Sequence, residues 1–170
     1  MTAEPPWQRE TRVCATIALR PDLLAAIRAH LELHELGDAE AKALVCFETT
    51  STRTGKPSRL ERMSGGGHSA LTQAAIVTPT RLVWAQAADD GAASAHSELL
   101  AKLDVSDYEK GPAFGLLPDH GIEVKGIVAL GGEVGTQFFG LGEGPDADRA
   151  RHMLKSAVKA AHGEGPPVEA

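Results

Sequence analysis

The sequence predicts an α+β fold: an antiparallel β-barrel or sandwich capped by a C-terminal amphipathic helix, with an N-terminal strand and helix added in front. Three observations carry this. Residues 75–85 are two short apolar runs folded back over Thr78-Pro79-Thr80-Arg81, and Pro79, with no amide hydrogen and a fixed φ, suits the second position of a tight turn. Other short β-prone runs recur between Gly, Ser, Asp and Pro clusters. The chain then closes on Ala147, Ala150, Leu154, Ala157, Val158 and Ala161, an apolar stripe at helical spacing.

In chain order, residues 1–10 read as a loose tail, polar and containing Pro. Val13, Ala15, Ile17 and Leu19 alternate and predict a strand. Pro21 opens a helix over residues 21–36, with Leu23, Leu24, Ile27 and Leu31 on its apolar face and Gly37 as its stop. Residues 43–50 are β-prone, and 51–68 read as a loop or hairpin tip rich in Ser, Thr, Gly, Pro and Arg. Strands near 71–78 and 81–88 flank the Pro79 corner. Residues 98–105 suit helix and strand equally well. Residues 122–128 alternate as a strand, Gly131-Gly132 turns the chain, and 134–141 form the last strand. Asp146 and Asp148 stand in the first turn of the final helix and Lys155, Lys159 and His162 near its end, which suits the helix dipole. The expected organisation is a tail at 1–10, a strand–helix extension at 11–40, a main domain at 41–163 and an acidic tail at 164–170.

Composition narrows the function classes. The chain has 170 residues, enough for one domain. Its net charge of −6 disfavours phosphate backbones and anionic lipids, so no nucleic-acid partner is expected. Aromatics at 4% leave few rings for stacking bases or sugars. No apolar run approaches the roughly 18 residues of a membrane span, and the start lacks the basic and apolar regions of a signal peptide. Cys14 and Cys46 sit in apolar, strand-like stretches and read as buried reduced thiols, which suits a cytoplasmic protein.

The segment Ile76-Val77-Thr78-Pro79-Thr80-Arg81-Leu82-Val83-Trp84, with Phe138-Phe139-Gly140-Leu141 leading into the last helix, resembles the bacterial pleckstrin-homology-like (PH-like) domains. The resemblance covers the 41–163 region. It implies a scaffold that binds proteins, peptides or lipid headgroups, and seldom an enzyme.

Arg53, Lys56, Arg59 and Arg62 stand against Glu61 alone in the 49–68 stretch, a basic loop on an acidic body that could focus an anion. The resemblance implies the same place, since lipid-binding PH domains carry their headgroup ligands between the first two strands. Arg59-Leu60-Glu61-Arg62 departs from that pattern: two residues separate the arginines instead of one, and Glu61 repels phosphate. His30 and His34, four apart on one helical face, come nearest to a metal pair. Only Glu35 or Asp38 could add a ligand, so packing or an interface is the expected role, with no metal or cofactor assigned. Gly140-Leu141-Gly142-Glu143-Gly144 lacks the second strand of a dinucleotide unit, and Glu143, Asp146 and Asp148 crowd the place of a phosphate. Gly67-His68-Ser69-Ala70-Leu71 ends in Leu71 where a nucleophile elbow needs Gly.

The expected function is therefore a non-enzymatic binding or scaffold module for a protein or peptide partner, including a second copy joined through the N-terminal strand and helix. The first alternative is an anion-binding module using Arg53, Lys56, Arg59 and Arg62 on a headgroup, nucleotide or acidic peptide. The second is a small hydrolase, which would gather His68, Ser69 or His96 with a carboxylate.

Overall fold

The computed structural model describes residues 6–55, 68–89, 91–115, 118–129 and 131–166. Lys56, Arg59 and Arg62 of the basic loop lie outside the described residues. Five strands form an antiparallel meander in sequence order: β1 (Trp7–Val13), β2 (Val45–Arg53), β3 (Ala70–Val77), β4 (Arg81–Ala88) and β5 (Ser94–Leu99). A second antiparallel sheet holds β6 (Asp104–Asp107), β7 (Gly121–Val128) and β8 (Val134–Gly140). Among the described residues two α-helices accompany them, α1 (Pro21–Leu33) and α2 (Pro145–Ala161). The α+β expectation stands as two antiparallel sheets and two helices; among the described residues the sheets do not join into a closed barrel.

Strand alternation sends successive side chains of the five-stranded sheet to opposite faces. Phe47, Ala75, Val77, Leu82 and Trp84 meet Ile122, Val124 and Phe139 of the second sheet and Ala150, Leu154 and Ala157 of α2. Cys46, Ala74, Ile76, Val83 and Ala85 on the other face meet Leu23, Leu24, Ile27 and Leu31 of α1. The large sheet is thus covered on both sides, which explains why β3 and β4 read as near-continuous apolar runs. No described helix is long and apolar enough to cross a membrane.

The Pro79 corner is closed by its own polar groups. The Thr78 amide donates to the Arg81 carbonyl at 2.9 Å, and the Arg81 amide donates to Thr78 Oγ1 at 3.0 Å. Ile76, Val77, Leu82 and Val83 on its flanks are fully buried. Arg81 Nη1 reaches the Ser97 hydroxyl at 3.4 Å, so its partner here is a hydroxyl and not a carboxylate.

Several expectations need correction. The first strand lies six residues earlier than the 13–19 alternation suggested: Trp7–Val13 is strand, and Thr16–Ala18 is a 3-10 turn that leaves Ile17 72% exposed. Residues 7–10 therefore belong to the sheet and not to a loose tail. The inward positions of β1 are Arg9 and Thr11, so a hydrophobic period could not mark it. β1 pairs with β2 along its whole length, from Trp7 opposite Arg53 to Val13 opposite Phe47. The N-terminal strand through which a second copy was expected to join is thus already paired with β2 along one edge. Residues 98–105 divide between the end of β5, a 3-10 turn at Leu100–Lys102 and the start of β6.

β1 is also tied to the end of the chain. The Thr11 hydroxyl donates to the Leu141 carbonyl, and the Val13 amide donates to Asp146 Oδ2 at 2.9 Å. Asp146 thereby spends the first turn of α2 on a protein contact.

Candidate binding site

Arg9 points from β1 toward the second sheet, and its side chain is 6% exposed. A buried guanidinium is tolerated only when its donors are used. Here Nε donates to Asp119 Oδ1 at 2.8 Å, Nη2 to Asp119 Oδ2 at 2.5 Å and Nη1 to Ser51 Oγ at 2.5 Å. The group also lies 5.3 Å from the centre of the Phe138 ring, a cation–π contact. Gly140 makes room for it, since a Cβ there would overlap the guanidinium. Gly142 has φ +67°, and a Cβ there would crowd the Arg9 backbone.

Beside this pair stands His120. Its Nδ1 is 3.3 Å from Glu109 Oε1, and its Nε2 is 3.4 Å from Glu143 Oε1. Glu109 Oε1 also accepts from Arg151 Nη2 at 2.8 Å, and Asp119 Oδ1 accepts from the His120 amide at 2.8 Å. The result is two linked polar groups, Arg9–Asp119 and Arg151–Glu109–His120–Glu143, of which Arg9, Asp119, His120 and Glu143 face a 420 Å³ hollow. Trp7, Gln8, Arg9, Asp119, His120 and Glu143 line it. A 610 Å³ hollow beside the end of α1 is bounded by Glu32, Glu35, Asp38 and the Arg28–Glu40 pair and has no aromatic wall.

Trp7 connects the hollow to the basic loop. Its ring has the Arg9 guanidinium 5.7 Å from its centre and that of Arg53, its cross-strand neighbour, at 4.8 Å. Arg53 Nε also donates to the His68 carbonyl at 3.4 Å. Arg53 is thus the one expected anion ligand among the described residues, and it sits at the edge of the Trp7 hollow.

The other expected sites come together less well. Ser69 Oγ donates to Asp89 Oδ2, while His68 Nδ1 lies 4.0 Å from Asp89 Oδ1. The carboxylate stands between hydroxyl and imidazole, the wrong order for a histidine base. The Ser69 hydrogen bond holds the Asp89 carboxyl below the ordinary range, which makes it a poor proton acceptor. His96 lies on the Trp84 ring at 5.6 Å, several residues along the sheet from Asp89. His30 and His34 do share a face, with ring centres 4.5 Å apart, and His30 Nε2 is 3.0 Å from the Ser97 hydroxyl. Burial, then the neighbouring histidines, push the His30 pKa down. Asp38 caps a turn by accepting the Ala41 amide at 2.9 Å. Among the described residues no three His, Cys, Asp or Glu side chains converge as a metal site would need.

Sequence reasoning missed Arg9, Glu109, Asp119, His120 and Glu143. Arg9 and Asp119 are 110 positions apart, so no local spacing links them. The usable signals were faint: an arginine at an inward strand position and two glycines at 140 and 142. Set against family models, curated proteins and solved structures, the chain matches none.

Proposed function

We propose that the protein is a non-enzymatic binding module that takes a protein or peptide segment over the hollow between Trp7 and His120. The observation that carries this is the state of the polar lining. Arg9 and Asp119 are committed to each other, and His120 is held by Glu109, which suits a preformed surface and leaves the lining without a nucleophile beside a free base. Trp7 stands partly exposed at the rim between two guanidinium groups. A rigid ring of that kind is a common anchor for a partner side chain. The meander of strands followed by α2 supports reading residues 41–163 as a PH-like scaffold, with four strands in one sheet and three in the other. A cytoplasmic setting fits two free cysteines.

Selection of a random peptide library on the purified chain tests the reading. Peptides that bind wild type should lose about tenfold or more in affinity on Trp7→Ala, as expected for an aromatic anchor. Retention of full affinity by that variant, or failure to select any peptide, would sink it.

The anion-binding alternative has one observation in its favour: Arg53 stands on Trp7 at the edge of the same hollow. It predicts salt-sensitive binding to acidic peptides or to vesicles containing anionic lipid. Unchanged binding after joint Arg59→Glu and Arg62→Glu reversal would discard it.

A further inference from the structure

Cys14 follows the last residue of β1, and Cys46 is the second residue of β2. The two strands hold a single register from Trp7 opposite Arg53 to Val13 opposite Phe47. The next pair in that register is Cys14 opposite Cys46, and the Cys14 amide donates to the Cys46 carbonyl at 3.0 Å. Directly opposed residues of a hydrogen-bonded antiparallel pair stand about 5.5 Å apart at Cα. Disulfides span Cα separations of about 4.4–6.8 Å. Both side chains also lie on the α1 face of the sheet, Cys46 within one apolar cluster and Cys14 packed against it. They line a 490 Å³ hollow together with Thr16, Glu40, Ala43 and Arg149, which gives a small reagent a way in.

We propose that Cys14 and Cys46 are a modification site: a cross-strand dithiol that closes to an intramolecular disulfide with a small-molecule disulfide such as glutathione disulfide, and reopens with a thiol reductant. This is independent of the binding function proposed above. Cys14 is the more exposed of the two, and Cys46 is only 4% exposed. Cys14 reacts first. It gives up its proton, its thiolate attacks a sulfur of glutathione disulfide, and one glutathione thiolate leaves and takes up a proton. Cys46 then gives up its own proton and attacks the Cys14 sulfur of the mixed disulfide, and the second glutathione leaves as a thiol. The protein loses two protons and two electrons, and the reagent gains them as two glutathione thiols.

The surroundings set the pace. Burial pushes both thiols up, Cys46 most strongly. Arg12 works against that at both, while Glu48 raises both and Asp146 adds to the rise at Cys14. Thiolate is therefore scarce near neutral pH, so closure is slow and speeds up by about tenfold per pH unit below the thiol pKa.

The test is incubation of the folded, reduced chain with glutathione disulfide between pH 7 and 8.5, read by intact mass, peptide mapping and sedimentation. The expected product is a monomer about 2 Da lighter, with Cys14 joined to Cys46, restored by dithiothreitol. Its Tm should rise by about 5 °C, because the bridge closes a loop of some thirty residues. Cys46→Ser should stop at a mixed disulfide on Cys14, and Cys14→Ser should stay unmodified. The proposal is overturned if wild type ends as glutathione adducts or intermolecular dimers. It is equally overturned if the folded chain stays fully reduced while the same chain oxidises in guanidinium. The wild-type readout decides the matter even where a variant folds poorly.

Discussion

Arg9 and Arg12 are three residues apart on β1 and so point to opposite faces of the same sheet. Each is held by a carboxylate, yet the two faces are built the other way round. Toward the second sheet the cation is buried: Arg9 is 6% exposed and Asp119 closes it from the side nearer solvent at 13%. Toward α1 the anion is buried: Glu48 is 8% exposed, while Arg12 is 48% exposed. Glu48 also accepts the Arg20 amide at 2.7 Å, and so pins the residue that caps α1 to the middle of the sheet. The difference teaches which partner matters. On each face, the costly loss is the one that strands the buried member or removes the group that satisfies several others.

The comparison can be tested from its strongest end. Arg9→Ala strips Asp119 and Ser51 of their donor and opens a void beside Phe138; it should cost about 3–5 kcal/mol in urea unfolding. Asp119→Ala should cost nearly as much, and the double variant clearly less than the two singles added together. A cost under about 1 kcal/mol for Arg9→Ala would mean that the guanidinium is not the brace between β1 and the second sheet. Glu48→Ala should come next, at about 2–3 kcal/mol, with hydrogen exchange fastest at the start of α1, where the Arg20 amide loses its acceptor. Gly140→Ala should cost about 1–3 kcal/mol, because the new methyl and the Arg9 guanidinium claim one space.

The acid range sharpens the same contrast. Burial on its own would raise the Asp107 carboxyl, but hydrogen bonds from Lys110 and Lys155 outweigh it and hold the group below the ordinary range. A carboxyl depressed on folding adds stability above its unfolded value, about 3.9, and loses it as pH falls through the folded one. Stability should therefore fall below about pH 4, and Asp107→Asn should flatten part of that fall. Asp22 in the first turn of α1 shifts in the same direction through Arg20, but its side chain is 49% exposed. Asp22→Asn should change stability by about 0.5 kcal/mol or less.

Legibility in the sequence follows the same division. Where burial is apolar, the period shows it: the stripe foreseen for the last helix is buried at Ala147, Ala150, Leu154, Ala157 and Val158, and the Pro79 corner stands where its residues placed it. Pro21 does open α1, which ends at Leu33 because Glu35 and Gly37 turn to positive φ. Where burial is polar, the period fails. β1 puts Arg9 and Thr11 inside, whereas the apolar alternation of residues 13–19 runs through the 3-10 turn at Thr16–Ala18. The hollow beside Trp7 was illegible for a related reason. Its residues come from the first strand, the approach to β7 and the joint before α2, and only the folded chain brings them together.

The ties between β1 and the end of the chain bear on the order of synthesis. Residues 7–13 leave the ribosome long before three of their partners: Arg9 waits for Asp119, Thr11 for Leu141 and Val13 for Asp146. The opening strand can find β2 early, where Ser51 and Thr49 meet Arg9 and Thr11, but the rest of its contacts wait until residues 119–146 have emerged. A nascent chain stopped short of residue 119 would carry an exposed row of arginine and threonine where the finished protein carries a seam.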